Sequence, residues 1–444
     1  MAFLLPKSYN YRYVICALIF SGYVLVFFQR LCPAVLALDI QADFGVGGTI
    51  LGVLASAYFY PYALMQLPTG LLVDLWGPRY TVSFFFVIAA LGALLMSHTN
   101  SLTIAVFGRV LVGLGVSTLF VSNFKLIAEW FAPRQFVFMG GLFMVMGGVG
   151  ALLASAPLAW ISSLIGWRMT LAAVGVMTFV MAVLIFAFVR NRPSDMGFPP
   201  IRTDPASGSG HDMPLWQGFK AVVTAGRFWP VSIWAFFAPG IAFAVGGLWG
   251  GPFLMQVYGL SKPAAGGVLS MFSLSLIFGS PFLGWVANRL GRKVVLIGCS
   301  SLLLLVCLAL YLFMMRLNLA WLYVLFFCVF LSGGSAGPIQ AAVSKELFPV
   351  GIAGTAMGCV NIFPFFGSAF FQILVGMFIP GGESDVHSVV LGAYQKMFIA
   401  YCVGAIVSLV ASCLMRETLD KTGDVTDSRL KNRRSLIKNP LKDP

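Results

Sequence analysis

Charge is what this sequence has least of. Asp, Glu, Lys and Arg make up 10% of its 444 residues, where an ordinary soluble domain carries about a quarter. Histidine is scarcer still: His98, His211 and His387 are the only three. All fall in predicted connections, which excludes a buried histidine relay or a paired metal site. The eight cysteines (Cys16, Cys32, Cys299, Cys307, Cys328, Cys359, Cys402 and Cys413) are scattered through apolar stretches without metal-ligand spacing. They read as small core residues. No glycine-rich phosphate loop is present, so ATP does not drive this protein directly. No catalytic constellation and no cofactor motif is found either. A cleavable leader is not expected, because the first apolar run is long and lacks a small-residue cleavage site. That run is expected to stay as helix 1.

What remains is apolar. The chain is 59% hydrophobic with a mean hydropathy of +0.92, and a span needs roughly 20 apolar residues. The expected class is an all-α membrane protein with twelve transmembrane helices. The first four are placed at about 13–38, 49–71, 82–97 and 102–128, the fifth at 136–160, and the sixth ends near 189. Six more follow at about 229–257, 264–287, 294–315, 320–343, 353–379 and 389–415. Pro61 and Pro68 predict kinks in helix 2. Asp39 and Asp43 fall in the loop after helix 1. The division is residues 1–190, a first bundle; 191–227, a Pro/Gly/Ser-rich linker; 228–415, a second bundle; and 416–444, a basic tail.

A net charge of +13 could suggest nucleic acid, but its distribution excludes that partner. Of the 28 Lys and Arg residues, 21 collect on alternate connections, the linker and the two ends. Only Arg168, Lys262, Arg316 and Lys396 fall on the opposite face. By the positive-inside rule both termini are cytoplasmic, and the tail lies near anionic lipid. The expected setting is a bacterial inner membrane, with the bilayer and a small solute as partners and the chain as a monomer.

One stretch recurs. GLLVDLWGPRYT, Gly70 to Thr81, returns 214 positions later as GWVANRLGRKVV, Gly284 to Val295. Both copies keep a glycine, a polar residue four places on (Asp74, Asn288), a second glycine (Gly77, Gly291) and then cations (Arg79; Arg292 and Lys293). Each joins two apolar runs and predicts a tight polar hairpin. Its glycines allow a sharp turn and close helix approach, its polar group can cap a helix, and its cations can meet helix C-termini. A second echo, EWFAP at Glu129 and ELFP at Glu346, is spaced by 217 residues. Two landmarks in one order indicate duplicated halves.

The repeated hairpin resembles the signature motif of the major facilitator superfamily. That resemblance implies two six-helix bundles alternating access to a central site, with Gly70, Asp74, Gly77, Arg79, Gly284, Asn288, Gly291 and Arg292 serving conformational switching. Asn288 departs from the pattern, since an acid is expected there. Arg109, opening RVLVGLGV, resembles the family's helix-4 motif, where the arginine serves coupling or packing. FFQRLCPAV and SAYFYPYALMQLPTGLLVDLWGPR resemble the anion:cation symporter branch, whose members carry organic anions such as sugar acids. Helix 5 has Ala156 before Pro157 where the antiporter motif has glycine, which disfavours efflux.

Three cations, Arg30, Arg109 and Lys125, fall inside predicted spans, and no Asp or Glu does. Such a charge is costly in lipid and usually faces a protein or water-filled interior. Arg30 and Arg109 each lie eight residues from the outer end of their helices, roughly 12 Å deep, and could grip an anion bidentately. Packing, carbonyl capping or snorkelling are the competing readings. Lys125 is expected to pair with Glu129 four residues on. Gln29, Tyr58, Asn361 and Gln372 are the uncharged candidates for the site, and Asp39 is a candidate proton site. The expected function is uptake of a small organic anion with protons. The alternatives are efflux of a hydrophobic compound or siderophore, amino-acid uptake, and a sensor built on the same fold.

Overall fold

The computed structural model describes residues 10–199, 215–379 and 387–419. Most of the tail and residues 200–214 of the linker lie outside the described residues. Every regular element among the described residues is helical. Among the described residues eleven helices are long and apolar enough to cross a membrane, and the shorter apolar helix Gly48–Leu64 makes a twelfth.

We number the spans 1 to 12: residues 11–44, 48–76, 78–98, 102–130, 133–165, 167–188, 228–258, 262–290, 292–312, 319–346, 350–376 and 387–414. The face where spans 1 and 7 begin and spans 6 and 12 end is called the terminal face, and the other the far face.

Local chemistry sets where the helices break. Pro61 and Pro68 have no N–H for the carbonyls of residues 57 and 64, and span 2 breaks there into Gly48–Ser56, Phe59–Leu64 and the start of Gln66–His98. The turn between spans 2 and 3 is a single residue, Gly77 at φ 76°. Its counterpart Gly291 sits at φ 112°. Only glycine adopts such angles without strain. The expected polar loop is therefore a one-residue reversal, with Asp74 still on span 2. Gly70 and Gly284 correct another expectation, since a Cβ added at either meets nothing within 4 Å. Neither mediates a close helix contact here.

Span 1 also differs from its expected form. Its first helix, Tyr11–Leu31, is followed after Cys32 by a second, Pro33–Phe44. Asp39 and Asp43 are thus helical, and Asp43 accepts from Trp167 Nε1 at 2.9 Å and Arg168 Nε at 3.0 Å. Arg30 lies 14 residues from the far end of the span, about 21 Å at ~1.5 Å per residue, so it is deeper than expected. Within the 191–227 segment, Leu215–Val223 forms a helix whose Gly218 faces Ile352 and Thr355 of span 11.

Spans 1–6 and 7–12 form two bundles. They meet where spans 1 and 2 face 7 and 11, and where 5 faces 8. Close approach rests on small residues, as in lipid-embedded bundles generally. A Cβ on Gly52 would strike the Gln372 carbonyl, and one on Gly251 the Ala34 carbonyl. Toward the far face Lys262 pairs with Asp39 across the two halves, and Thr49 Oγ1 donates to the Gly376 carbonyl at 3.2 Å. The terminal-face segments of spans 4 and 10 pack mainly within their own bundles.

Candidate functional site

The site is assembled around one break in span 1. Pro33 supplies no N–H to the carbonyl of Gln29, which is left free in the protein interior. Arg109 of span 4 fills it, Nη1 donating at 3.0 Å, while Cys32 Sγ approaches the same oxygen at 3.5 Å. Arg30 is the next residue. Its Nε reaches Tyr58 Oη of span 2 at 3.4 Å, and the Tyr58 ring lies 5.1 Å from the Arg109 guanidinium. Tyr58 thus separates the two cations, offering its hydroxyl to one and its face to the other. Arg30, Arg109 and Tyr58 lie together around the Gln29 main chain.

Four rings surround Arg30. Phe27 is 4.6 Å from its guanidinium, Tyr62 4.7 Å, Phe365 5.1 Å and Phe243 5.6 Å. They come from spans 1, 2, 11 and 7, so the cage closes only when both bundles meet. Magnitudes decide what it does. A desolvated cation–π contact contributes up to about 2 kcal/mol, and an arginine in mid-membrane costs about 3 kcal/mol on insertion scales. The rings can hold the charge in place without a counter-ion.

The cage does not use up the donors. Arg30 Nη2 and Arg109 Nε and Nη2 are buried without hydrogen-bond partners, and both residues are 3% exposed. All four ion pairs among the described residues lie elsewhere, so no carboxylate pairs with either arginine. Gln372 of span 11 is fully buried with both amide atoms unpartnered. A Cβ built on Gly247, in the π-helical turn Val245–Trp249 of span 7, would lie 3.2 Å from Gln372 Nε2 and 3.7 Å from the Arg30 carbonyl. That places the amide near the main chain of Arg30.

Other candidates fall elsewhere. The Gln29 side chain turns into the first bundle, Nε2 donating to Thr178 Oγ1 at 2.9 Å. Asn361 Nδ2 donates to Gln66 Oε1 at 3.0 Å across the two halves, so it bridges bundles rather than joining the arginines. Asp39 is held by Lys262.

Lys125 does not pair with Glu129. Its Nζ lies 2.6 Å from Asp74 Oδ1 and 2.9 Å from the Val73 carbonyl. The tertiary fold brings the end of span 2 against span 4, and its last carbonyls and acid outcompete the local i+4 neighbour. The caps at the two hairpins also come from residues the motif does not contain. Asn191 Oδ1 accepts from Arg79 N at 2.9 Å, and Arg79 Nε donates to the Phe186 carbonyl at 2.7 Å. At the second hairpin Glu417 accepts from Arg292 N at 3.0 Å and Lys293 N at 3.1 Å. Partial burial pushes the Glu417 carboxyl up, but the N–H groups of Leu419, Arg292, Thr418 and Lys293 outweigh it and hold it below its usual range. Arg292 also pairs with Glu346 at 2.5 Å. Asn288 stands in span 8 one turn before Gly291, as Asp74 does before Gly77.

The aromatic cage and Gln66 are absent from the candidates read in the sequence. Tyr58 and Tyr62, one turn apart, are a local signal for half of it. Phe243 and Phe365 give none, because they reach Arg30 only through the contact between bundles.

The chain as a whole is similar to known proteins. The sequence pattern of the Major Facilitator Superfamily matches residues 19–372. A probable hexose phosphate transport protein of Chlamydia pneumoniae is 23% identical over 386 residues, 82% of this chain and 84% of that protein. The probable galactarate/D-glucarate transporter GudP of Bacillus subtilis is 23% identical over 405 residues, covering 84% and 87%. Among solved structures, a bacterial homolog of the human lysosomal transporter Spinster, in its inward-facing and unoccupied conformation, superposes with a TM-score of 0.72. It is 18% identical and covers 91% of this chain and 97% of its own. Twelve spans in two bundles, a duplicated hairpin and a match over most of the chain lead to one conclusion: this protein belongs to the major facilitator superfamily and is a multi-pass transporter of small organic solutes, not an enzyme.

Proposed function

We propose that the chain takes up a small organic anion, a carboxylate in the first instance, by alternating access across a bacterial inner membrane. The observation that carries this reading is the set of unpartnered donors on Arg30 and Arg109 in a buried region without a carboxylate. Two planar guanidiniums suit a bidentate carboxylate better than a neutral ligand, and the unpartnered Gln372 amide, near the Arg30 main chain, is a candidate to read a hydroxyl. Relatives named for hexose phosphate and for galactarate or D-glucarate support an anion.

The terminal face, rich in cations, is the cytoplasmic one in this reading. The junction of spans 1, 2, 5, 7, 8 and 11 toward the far face supports reading this state as closed to the outside. Residues 1–190 and 228–415 are the two moving bodies and 191–227 their tie. The hairpin residues Gly70, Asp74, Gly77, Arg79, Gly284, Asn288, Gly291 and Arg292 govern switching between states. Proton coupling is assigned to Asp39, since neutralising it removes its attraction to Lys262 across the halves and favours opening.

Uptake by reconstituted vesicles and thermal shift against organic acids, amino acids and neutral sugars test the reading, because a bound ligand stabilises by mass action. Arg30→Gln should abolish anion uptake in a folded protein, and Arg30→Lys should retain a part of it. Normal anion transport by Arg30→Gln would overturn the assignment. In that case the four rings around Arg30 favour the second reading, a structural cation beside a neutral or zwitterionic solute.

A further inference from the structure

A groove of about 650 Å³ runs along the outer surface of spans 3 and 6, lined by none of the central-site residues. Trp76, Tyr80, Phe84, Phe179, Val183 and Phe186 form its walls, each about half exposed. Phe186 lies near the terminal-face end of span 6 and Phe179 seven residues deeper, so the groove extends about 10 Å along the helix at ~1.5 Å per residue. That is the direction in which an acyl chain lies in a bilayer.

Charge at one end of the groove decides what fills it. Arg79 is fixed there: Nε donates to the Phe186 carbonyl at 2.7 Å, and the guanidinium covers the rings of Phe186 at 4.9 Å and Tyr80 at 5.3 Å. Its Nη groups have no hydrogen-bond partner among the described residues. Arg190 Nη1 donates to the next carbonyl, Ala187, at 2.8 Å and to Val189 at 3.0 Å. Two guanidiniums therefore cluster at this helix end, while the nearby Asp74 is engaged by Lys125. Ser83 lines the groove one helical turn below Arg79, about 6 Å deeper. It is 6% exposed, and its hydroxyl has no partner. Arginine for phosphate, a donor one turn below and an apolar channel beyond match the order of groups in a glycerophospholipid.

We propose that this groove binds one anionic phospholipid, with its phosphate at Arg79 and Arg190, an ester carbonyl at Ser83 and an acyl chain along Phe179 to Phe186. Phosphatidylethanolamine, whose ammonium offsets the phosphate, is disfavoured because guanidiniums favour net negative charge.

The test uses the full chain in bilayer discs of equal phosphatidylglycerol and phosphatidylethanolamine, followed by detergent extraction and native mass spectrometry. The wild type should retain one phosphatidylglycerol in about tenfold preference over phosphatidylethanolamine, and Val183→Trp, filling the groove from a lipid-exposed position, should lower retention about tenfold. Val410→Trp, at a position on span 12 that is 54% exposed, should retain lipid like the wild type. Ser83→Ala should weaken retention several-fold and serves as the reading if Val183→Trp does not fold. Arg190→Gln should abolish the preference between the two lipids. Equal retention by Val183→Trp, no preference in the wild type, displacement of the lipid by inorganic phosphate alone, or loss of a protein dimer rather than a lipid would each overturn the proposal.

Discussion

The hairpins at Gly77 and Gly291 do one job with exchanged parts. In the first, an amide, Asn191, receives the N–H that opens span 3, and an acid on span 2 pairs with a lysine on span 4. In the second, a carboxylate, Glu417, receives two N–H groups at the start of span 9, and an arginine on span 9 pairs with an acid on span 10. Both caps come from just beyond the sixth helix of their half. The acid that seems missing at Asn288 is therefore not missing from the hairpin: Glu346 on span 10 and Glu417 just after span 12 supply it. Duplication has preserved where polar groups meet, and has not preserved which chain segment carries which charge.

The comparison can be broken most severely at the turns themselves. Gly77→Ala forces a side chain into a positive-φ, extended-ψ conformation essentially restricted to glycine, worth about 1–3 kcal/mol, and drives its Cβ into Asn191. Asn191 is short and its amide would strike the new Cβ, whereas Glu417, which a Cβ at Gly291 would meet at 2.5 Å, has one more rotatable bond with which to reach its donors from another angle. Gly77→Ala should lower the melting temperature and transport more than Gly291→Ala. Equal losses in a thermal melt would mean that the caps do not differ in stiffness.

Next in size is the ion pair. Asp74→Asn should slow transport several-fold by removing the Lys125 contact. It should change stability by less than about 1 kcal/mol, because the Asp74 side chain is 65% exposed. Equilibrium binding measured beside uptake separates the two effects, and lost binding in a folded protein would move Asp74 out of the switching role.

The smallest expected effect is on pH. Glu417 is held below the usual carboxylate range, so its contribution is present above the unfolded value, about 4.3, and is lost as pH falls through the lower folded value. Asn191 does not titrate. Acid should therefore loosen the second hairpin before the first, read as faster hydrogen exchange at Arg292 and Lys293 than at Arg79. Glu417→Gln should abolish that difference.

The helical skeleton was legible because the signals that set it are local: apolar length, glycine at reversals, and proline four residues after each break in span 2. Arg30 was legible as an unmatched charge. The Lys125 partner was not, because i+4 spacing offers Glu129 while the fold delivers Asp74 from 51 residues away. Neither was the ring cage, two of whose members sit in the other half of the chain. Local periodicity says which residues avoid lipid, but it does not say which of them meet.

The carbonyl freed by Pro33 carries a consequence for genetics. Arg109 is held by main chain rather than by a side chain, so no substitution of the Gln29 side chain can delete its acceptor. The position that controls it is residue 33. Pro33→Ala would restore a rival N–H within the helix and release Arg109 without touching either arginine. Variants that retune this site should therefore arise at Pro33 as well as at the arginines themselves.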